Sequence, residues 1–175
     1  MTATSSPRPS AAPIILPHEP HAATVAEFGL LGAHVGPSEV DSPWVPFGDS
    51  ASIRHLAFDV RAGAVANILA VRGGGRIGTH RHRGAVSAIT LEGRWGYYEY
   101  DWIAEPGSFV YERPGAAHTL YSDEGMKAMF WIQGPLEFFD DAGQLTDTFD
   151  VFWFIEHYVT YCRAQGLPIN RDLFL

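Results

Sequence analysis

The sequence is poor in cysteine and in charged side chains, and both shortages narrow the chemistry open to it. Cys162 is the one cysteine in 175 residues, which excludes a disulfide framework and any zinc or iron–sulfur site built on cysteine ligands. Charged residues make up only 18% of the chain, while 46% of it is hydrophobic. A chain of this length and composition can bury a substantial core and is neither disordered nor a solvated helical rod.

Basic residues and long apolar runs are also scarce. Twelve Lys and Arg against twenty Asp and Glu give a formal net charge of −8, which argues against a surface for nucleic acid or anionic membranes. No apolar run approaches the length of a membrane span. The short apolar stretch 14–16 lies between Pro13 and Pro17, which is not the pattern of a signal peptide. We therefore predict a cytoplasmic protein with neither a nucleic-acid nor a membrane partner.

Composition divides the chain into three segments. Residues 1–22 are rich in Ala, Ser and Pro, which favours an extended arm that becomes ordered only by lying on another surface. Residues 23–145 contain short apolar runs separated by Gly and Pro, a spacing that predicts an all-β sandwich or barrel. The clearest runs are 53–60, 66–71, 86–91, 95–102, 108–111 and 127–133.

The last segment, residues 146–175, has the periodicity of a helix that packs on the barrel. Its apolar stripe at i, i+3, i+7 and i+10 consists of Phe152, Ile155, Val159 and Cys162. Asp147, Thr148 or Asp150 could cap the start of this helix, and Gly166 would end it.

Three histidines carry the strongest functional signal. His80 and His82 lie in a Gly-rich, strand-like stretch, where residues i and i+2 project from the same face of a strand. His118 follows the turn at Pro114 and Gly115, so the fold has to bring its strand alongside the other two. Three converging neutral imidazoles can hold one divalent cation and leave coordination positions open. Imidazole accepts iron, zinc, copper or nickel, so the ligands alone do not select the metal.

The sequence around these histidines resembles the two motifs of the cupin superfamily. Residues 75–93 are similar to the first motif and residues 107–122 to the second. The resemblance implies a double-stranded β-helix, a jelly-roll barrel, here with an N-terminal arm and a C-terminal helix. Cupins commonly have a glutamate a few residues after the paired histidines, but Val86 and Ser87 occupy that place. This departure leaves a three-histidine site and argues against a manganese enzyme that degrades oxalate.

A closer resemblance is to the 2,4'-dihydroxyacetophenone dioxygenases, with acetylacetone-cleaving dioxygenases as a more distant relation. It rests on residues 78–82, 93–100 and 111–119. The resemblance implies a non-haem Fe(2+) enzyme that cleaves a C–C bond of a small aromatic hydroxyketone with O2. In that family the products are 4-hydroxybenzoate and formate. Three neutral ligands keep the full dipositive charge on the ion, which favours an anionic, chelating substrate.

Zinc is the alternative metal, because three histidines and a water also describe a hydrolytic zinc site. A general base near the metal would remove the substrate's hydroxyl proton, and we predict Glu112 for this role, with Glu99 second. The alternative for Glu112 is a surface pair with Arg113 or Arg83. A register slip of one residue would reverse the face on which Glu112 lies.

An aromatic cluster follows Gly93 and could line a pocket for an aryl ketone; it comprises Trp95, Tyr97, Tyr98, Tyr100 and Trp102. On a strand Trp95 and Tyr97 share one face and the other three residues share the opposite face, so one set should be interior. We predict that Tyr97 presents its hydroxyl to the substrate, and that His55 and His157 are structural or surface residues.

Two further functions stay open. A β-diketone-cleaving dioxygenase keeps the same metal site with another substrate. A sensor cupin would bind a metal or small ligand without converting it, although regulatory cupins of the anti-sigma kind carry a helical zinc domain with cysteine ligands. Because cupins often pair through exposed sheet edges, we also predict a homodimer or homotetramer.

Overall fold

The computed structural model describes residues 33–175, and the structural statements that follow concern that part of the chain. The predicted arm, residues 1–22, and the start of the predicted barrel segment lie outside it. No helix within the described part is both long and apolar enough to cross a membrane.

Antiparallel strands dominate the described residues, as the short apolar runs predict. The strands are β1 (Trp44–Phe47), β2 (Ala51–Asp59), β3 (Ala64–Arg72), β4 (Gly75–His82), β5 (Val86–Gly93), β6 (Gly96–Tyr97), β7 (Phe109–Glu112), β8 (Ala117–Ser122), β9 (Gly125–Gln133), β10 (Leu136–Phe139) and β11 (Leu145–Phe149). One sheet has the order β1-β2-β3-β9-β5-β7, and the other has the order β11-β10-β4-β8-β6. The prediction of an all-β jelly roll is confirmed.

The core lies between the inner faces of the two sheets. Inward residues alternate with outward ones along β9, where Met126, Ala128, Phe130 and Ile132 are buried and the residues between them are partly exposed. This alternation is what a sheet with one face against a core requires. Gly93 permits the close approach at one end of β5, because its φ is 69° and a Cβ there would lie 1.9 Å from the Gly125 carbonyl oxygen.

The C-terminal helix, Val151–Gln165, begins and ends where its capping residues predict. The Asp150 side chain accepts a hydrogen bond from the Trp153 backbone N–H, and Gly166 ends the helix with a φ of 67°. A short 3-10 helix, Arg171–Leu173, follows.

The buried face of that helix differs from the predicted stripe. The buried residues are Val151, Phe154, Tyr158 and Cys162, and Phe152 is 57% exposed. The prediction was therefore wrong for Phe152. Several aromatic residues in succession are compatible with more than one helical face, and contact with β1, β2, β3 and β11 selects the face that contains Phe154 and Tyr158.

The predicted strand over residues 95–102 was also largely wrong. Only Gly96 and Tyr97 form a strand, β6, because the Tyr100 backbone N–H donates to the Tyr97 carbonyl and closes a turn. The burial nonetheless agrees with the prediction that one set of the aromatic residues after Gly93 is interior and the other set faces outward. Trp95 and Tyr97 are each 1% exposed, whereas the outward residues are Tyr98, Tyr100 and Trp102.

Candidate metal centre

The register between β4 and β8 brings the three histidines together. His80 lies directly opposite His118 in this antiparallel pair, and His82 projects from the same face of β4 two residues later. One ring nitrogen from each of the three residues lies within 4.8 Å of the other two. Convergence of this kind is what ligands of a single ion require, and it depends on a strand pairing that spans almost forty residues of chain.

Burial keeps all three imidazoles neutral. They are between 1% and 4% exposed, and removal from water disfavours the charged ring. Burial lowers the pKa of His82 to about 2 and that of His118 to about 3, and the neighbouring His80 adds to both shifts. The pKa of His80 is lowered by the same cause. Neutral imidazole is the form that binds a metal, so the site needs no proton loss at neutral pH.

Hydrogen bonding leaves the inner ring nitrogens available. His80 Nδ1 is 2.8 Å from the Gly78 carbonyl oxygen, which can only accept, so Nδ1 carries the proton and Nε2 keeps its lone pair. Both ring nitrogens of His118 and Nδ1 of His82 are buried without a hydrogen-bond partner. Buried polar atoms are rarely left unpaired. These unpartnered nitrogens fit a bound metal ion.

A buried carboxylate completes the cluster from the opposite sheet. Glu112 Oε2 lies 3.2 Å from His82 Nε2 and 3.3 Å from His118 Nε2, and the residue is 6% exposed. These are contacts without hydrogen-bond alignment, because Glu112 Oε2 has no hydrogen-bond partner. The other oxygen, Oε1, accepts a 2.5 Å hydrogen bond from the Tyr97 hydroxyl.

Tyr97 holds this carboxylate while packing on a histidine. Its ring stacks on His118 with centroids 3.8 Å apart and planes 10° from parallel. Burial raises the pKa of Glu112 to about 7, although the hydrogen bond from Tyr97 opposes the shift. Burial, reinforced by Glu112, raises the pKa of Tyr97 well above its usual value. Tyr97 therefore stays a hydrogen-bond donor at neutral pH.

The position of Glu112 explains how the site gains a carboxylate that the first motif lacks. Val86 on β5 occupies a place where cupins commonly have glutamate, and its cross-strand partner on β7 is Glu112. Paired residues project from the same face of a sheet, so the carboxylate enters the barrel from the adjacent strand. The sequence predicted Glu112 as a general base near the metal but left its face open, and the β5–β7 register decides that face.

Two spaces adjoin the cluster. The inner cavity, of about 40 Å³, lies inside the barrel and is lined by His80, His82 and Tyr97 among mostly apolar residues. The outer groove, of about 560 Å³, has aromatic walls and includes Tyr97 and Glu112; its other aromatic residues are Tyr100, Trp102, Phe109 and Tyr111. A larger cleft of about 590 Å³ includes the turn after β1 and borders none of the three histidines.

The alternatives considered for the carboxylates have other positions. Glu99 is exposed, and its Oε2 accepts a hydrogen bond from the Thr119 backbone N–H. Arg83 Nε lies 3.8 Å from Glu137 Oε1, and Arg83 forms no ion pair with Glu112 among the described residues. The alternative of a surface pair between Glu112 and Arg113 or Arg83 is therefore wrong, since the β7 register turns Glu112 into the barrel, where it is 6% exposed.

Two polar features were not foreseen from the sequence: the pairing of the structural residues His55 and His157, and the buried amide of Asn67. His55 and His157 form a pair in which His55 Nε2 and His157 Nδ1 are 3.2 Å apart, and His157 Nε2 lies 2.8 Å from the Pro46 carbonyl oxygen. Asn67, on β3, is 2% exposed and lines the inner cavity. A signal for Asn67 was present: it is the one polar residue within the apolar run 64–71.

Comparisons with known proteins agree with this architecture. Residues 35–137 match the model of a family described as the ChrR cupin-like domain. An RmlC-like cupin from Ralstonia eutropha JMP134 is 26% identical, with a TM-score of 0.77 over 82% of this chain and 94% of its own. An acetylacetone dioxygenase from Acinetobacter johnsonii is 18% identical, with a TM-score of 0.69 over 75% of this chain and 93% of its own. No curated protein sequence matches the chain significantly.

Proposed function

Because the chain belongs to the ChrR cupin-like family, whose model spans more than half of it, we propose that its buried histidine cluster is a catalytic metal centre. The proposed activity is that of a non-haem iron(II) dioxygenase. It would cleave a C–C bond of an aryl α-hydroxyketone such as 2,4'-dihydroxyacetophenone, giving an aromatic carboxylate and formate.

One observation carries the proposal: unpartnered histidine nitrogens converge beside a buried carboxylate that can accept a proton. A purely structural cluster would pair these atoms with each other or with the backbone, because a buried unpaired polar group costs about 1–3 kcal/mol. His80, His82 and His118 would hold the metal. An iron(II) ion bound there would supply positions for a chelating ketone and dioxygen together.

Glu112 is the proposed acceptor of the substrate's hydroxyl proton. Its Oε2 borders the histidine nitrogens and has no hydrogen-bond partner, so that oxygen is free to take a proton. The Tyr97 hydroxyl, bonded to Oε1, fixes the orientation of the carboxylate. Tyr97 therefore acts on Glu112, and this differs from the substrate-facing role predicted for its hydroxyl from the sequence.

The outer groove supports an aromatic substrate. Its volume lies within the range of ligand pockets, roughly 300–1,000 Å³, and Tyr100, Trp102 and Phe109 offer aromatic surface. Glu112 connects this groove with the histidines, because it lines the groove and also contacts His82 and His118. We propose that the aryl ring lies in the groove while the carbonyl and hydroxyl oxygens of the substrate reach the metal centre.

The direct test is anaerobic purification, metal analysis and measurement of O2 uptake with a panel of ketones. The panel contains 2,4'-dihydroxyacetophenone, 2-hydroxyacetophenone and acetylacetone. We expect about one iron per chain and O2 uptake matched by carboxylate and formate with the hydroxyketones. A preference for acetylacetone would replace the proposed substrate by a β-diketone. Turnover that persists after complete removal of iron would contradict the iron proposal and leave zinc as the alternative.

A second candidate is a sensor cupin that binds a metal or small ligand without turnover. The family match favours it, because regulatory cupins also belong to this superfamily. Under this proposal a ketone binds anaerobically to the metal-loaded protein, and no product forms when oxygen is admitted. The homo-oligomeric state and the cytoplasmic location stay predictions.

A further inference from the structure

Asn67 is a polar side chain in an otherwise apolar part of the barrel. It lies in the middle of β3, is 2% exposed and lines the inner cavity together with His80 and His82. Most other residues around this cavity are aliphatic or aromatic, among them Leu69 on the same strand and Phe130 on β9. The cavity thus combines the histidine face of the candidate metal centre with a single amide.

The described part of the fold gives this amide no side-chain partner. No side-chain hydrogen bond joins Asn67 to another residue within 33–175, and the Nε2 atom of its cross-strand neighbour His55 is engaged by His157. A buried polar group without a partner destabilises the folded state, so an apolar residue of similar shape would suit this position better for folding. A polar group that the fold leaves unpaired is a candidate for contact with a ligand.

The cavity is too small for an aryl ring. Its volume of about 40 Å³ corresponds to roughly three water molecules. A hydroxymethyl group fits such a space, and the aromatic part of the same molecule would have the outer groove, which Tyr97 also lines. The two spaces therefore match the two ends of an aryl hydroxymethyl ketone.

We infer that Asn67 is a specificity-determining residue whose amide donates a hydrogen bond to the hydroxyl-derived oxygen of an α-hydroxyketone in the inner cavity. The inference rests on the proposed function, because it concerns the substrate of the same site. Its consequence is discrimination: a ketone that carries the hydroxyl gains this hydrogen bond, and a plain methyl ketone does not. A site built to bond a polar group binds an analogue that lacks the group less well.

The test compares the wild type with Asn67→Leu, which keeps a branched side chain and removes the donor. The control is Met126→Leu, a volume-conserving change of a buried residue that lines neither the inner cavity nor the outer groove. Binding of 2-hydroxyacetophenone and acetophenone to the Fe(II)-loaded protein is measured by calorimetry under anaerobic conditions. The melting temperature of each protein is measured without metal.

We expect Asn67→Leu to weaken binding of 2-hydroxyacetophenone about five- to tenfold, the loss of one hydrogen bond, and to leave acetophenone binding within twofold. Its metal-free melting temperature should equal or exceed that of the wild type. Met126→Leu should alter neither the preference between the two ketones nor the metal content. Equal weakening of both ketones, unchanged binding of both, or a lowered melting temperature of Asn67→Leu would each overturn the inference.

These outcomes separate the inference from the proposed function. A wild type that binds the hydroxyketone without consuming O2 contradicts the dioxygenase, while Asn67→Leu still reports on the hydrogen bond. A wild type that turns over the hydroxyketone, with a variant of unchanged preference, contradicts only the role of Asn67. A wild type that binds neither ketone overturns the substrate class and the role of Asn67 together.

Discussion

Two groups of histidines lie within residues 33–175, and they differ in where their ring nitrogens point. In the metal-centre group, one ring nitrogen each from His80, His82 and His118 lies within 4.8 Å of the other two, and three ring nitrogens of His82 and His118 have no hydrogen-bond partner. The helix group is the pair formed by His55 and His157. A row of hydrogen bonds runs from His55 through His157 to the Pro46 carbonyl oxygen.

These hydrogen bonds determine which ring nitrogen carries the proton in His55 and in His157. A carbonyl oxygen only accepts, so His157 Nε2 carries a proton, His157 Nδ1 accepts, and His55 Nε2 donates. His55 Nδ1 is buried without a partner, but aromatic rings surround it, and it is not part of a convergent set of ligand atoms within residues 33–175. Burial and a lowered pKa are therefore common to both groups, and convergence distinguishes the candidate metal site.

The sharpest test of this distinction removes one histidine from each group. His118→Ala should lose the metal and at least a hundredfold of turnover, because two imidazoles remain where three converge. His157→Gln should keep about one metal per chain. Metal analysis after anaerobic gel filtration and O2 uptake are the measurements. Loss of metal from His157→Gln, or full metal content in His118→Ala, would contradict the assignment of the metal site to the metal-centre group.

The next test concerns the carboxylate that only the metal-centre group possesses. Glu112→Gln should lower kcat by about a hundredfold or more, because the amide cannot take up the substrate's proton, while the metal content is unchanged. Single-turnover O2 uptake and iron analysis measure both quantities. Iron loss from this variant would identify Glu112 as a fourth ligand in place of a base.

The helix group should contribute its own part of the acid sensitivity. Burial holds the pKa of His55 at about 3, while the unfolded chain titrates near 6.5. The unfolded state thus binds the proton first, so stability is full above pH 6.5 and falls as the pH decreases toward 3. Between pH 6.5 and 5 this proton uptake by the unfolded state lowers the free energy of unfolding by about 2 kcal/mol.

His55→Gln should lack that part of the pH dependence. The free energy of unfolding in urea, measured on metal-free protein at pH 7, 6 and 5, tests it against the wild type. Wild type and variant with parallel pH profiles would show that His55 does not stay neutral in the folded state.

The smallest expected effect comes from Tyr97→Phe. Removing the hydroxyl frees Glu112 Oε1 and should reduce kcat about fivefold, equivalent to about 1 kcal/mol, with the metal content unchanged. The ring should still stack on His118, which makes the variant a specific probe of the hydrogen bond. A change in KM with kcat preserved would instead favour a direct contact between Tyr97 and the substrate.

Local patterns predicted much of the fold and the histidine cluster. The alternation of apolar runs and turns predicted the major strands, and Asp150 and Gly166 marked the ends of the C-terminal helix. The short strands β1, β10 and β11 escaped prediction. Their stability comes from pairing, β1 with β2 and β10 with both β11 and β4, and not from a local pattern.

The sequence alone determined that His80 and His82 share one face, because neighbours at i and i+2 on a strand have no other arrangement. It also determined the strand content, since alternation must match the period of the pleat. Only the tertiary structure decided that Glu112 meets the histidines, that Asn67 faces their cavity, and that His55 pairs with His157. Each of those contacts joins elements distant in the chain, and strand register and helix packing, which depend on the whole core, set their distances.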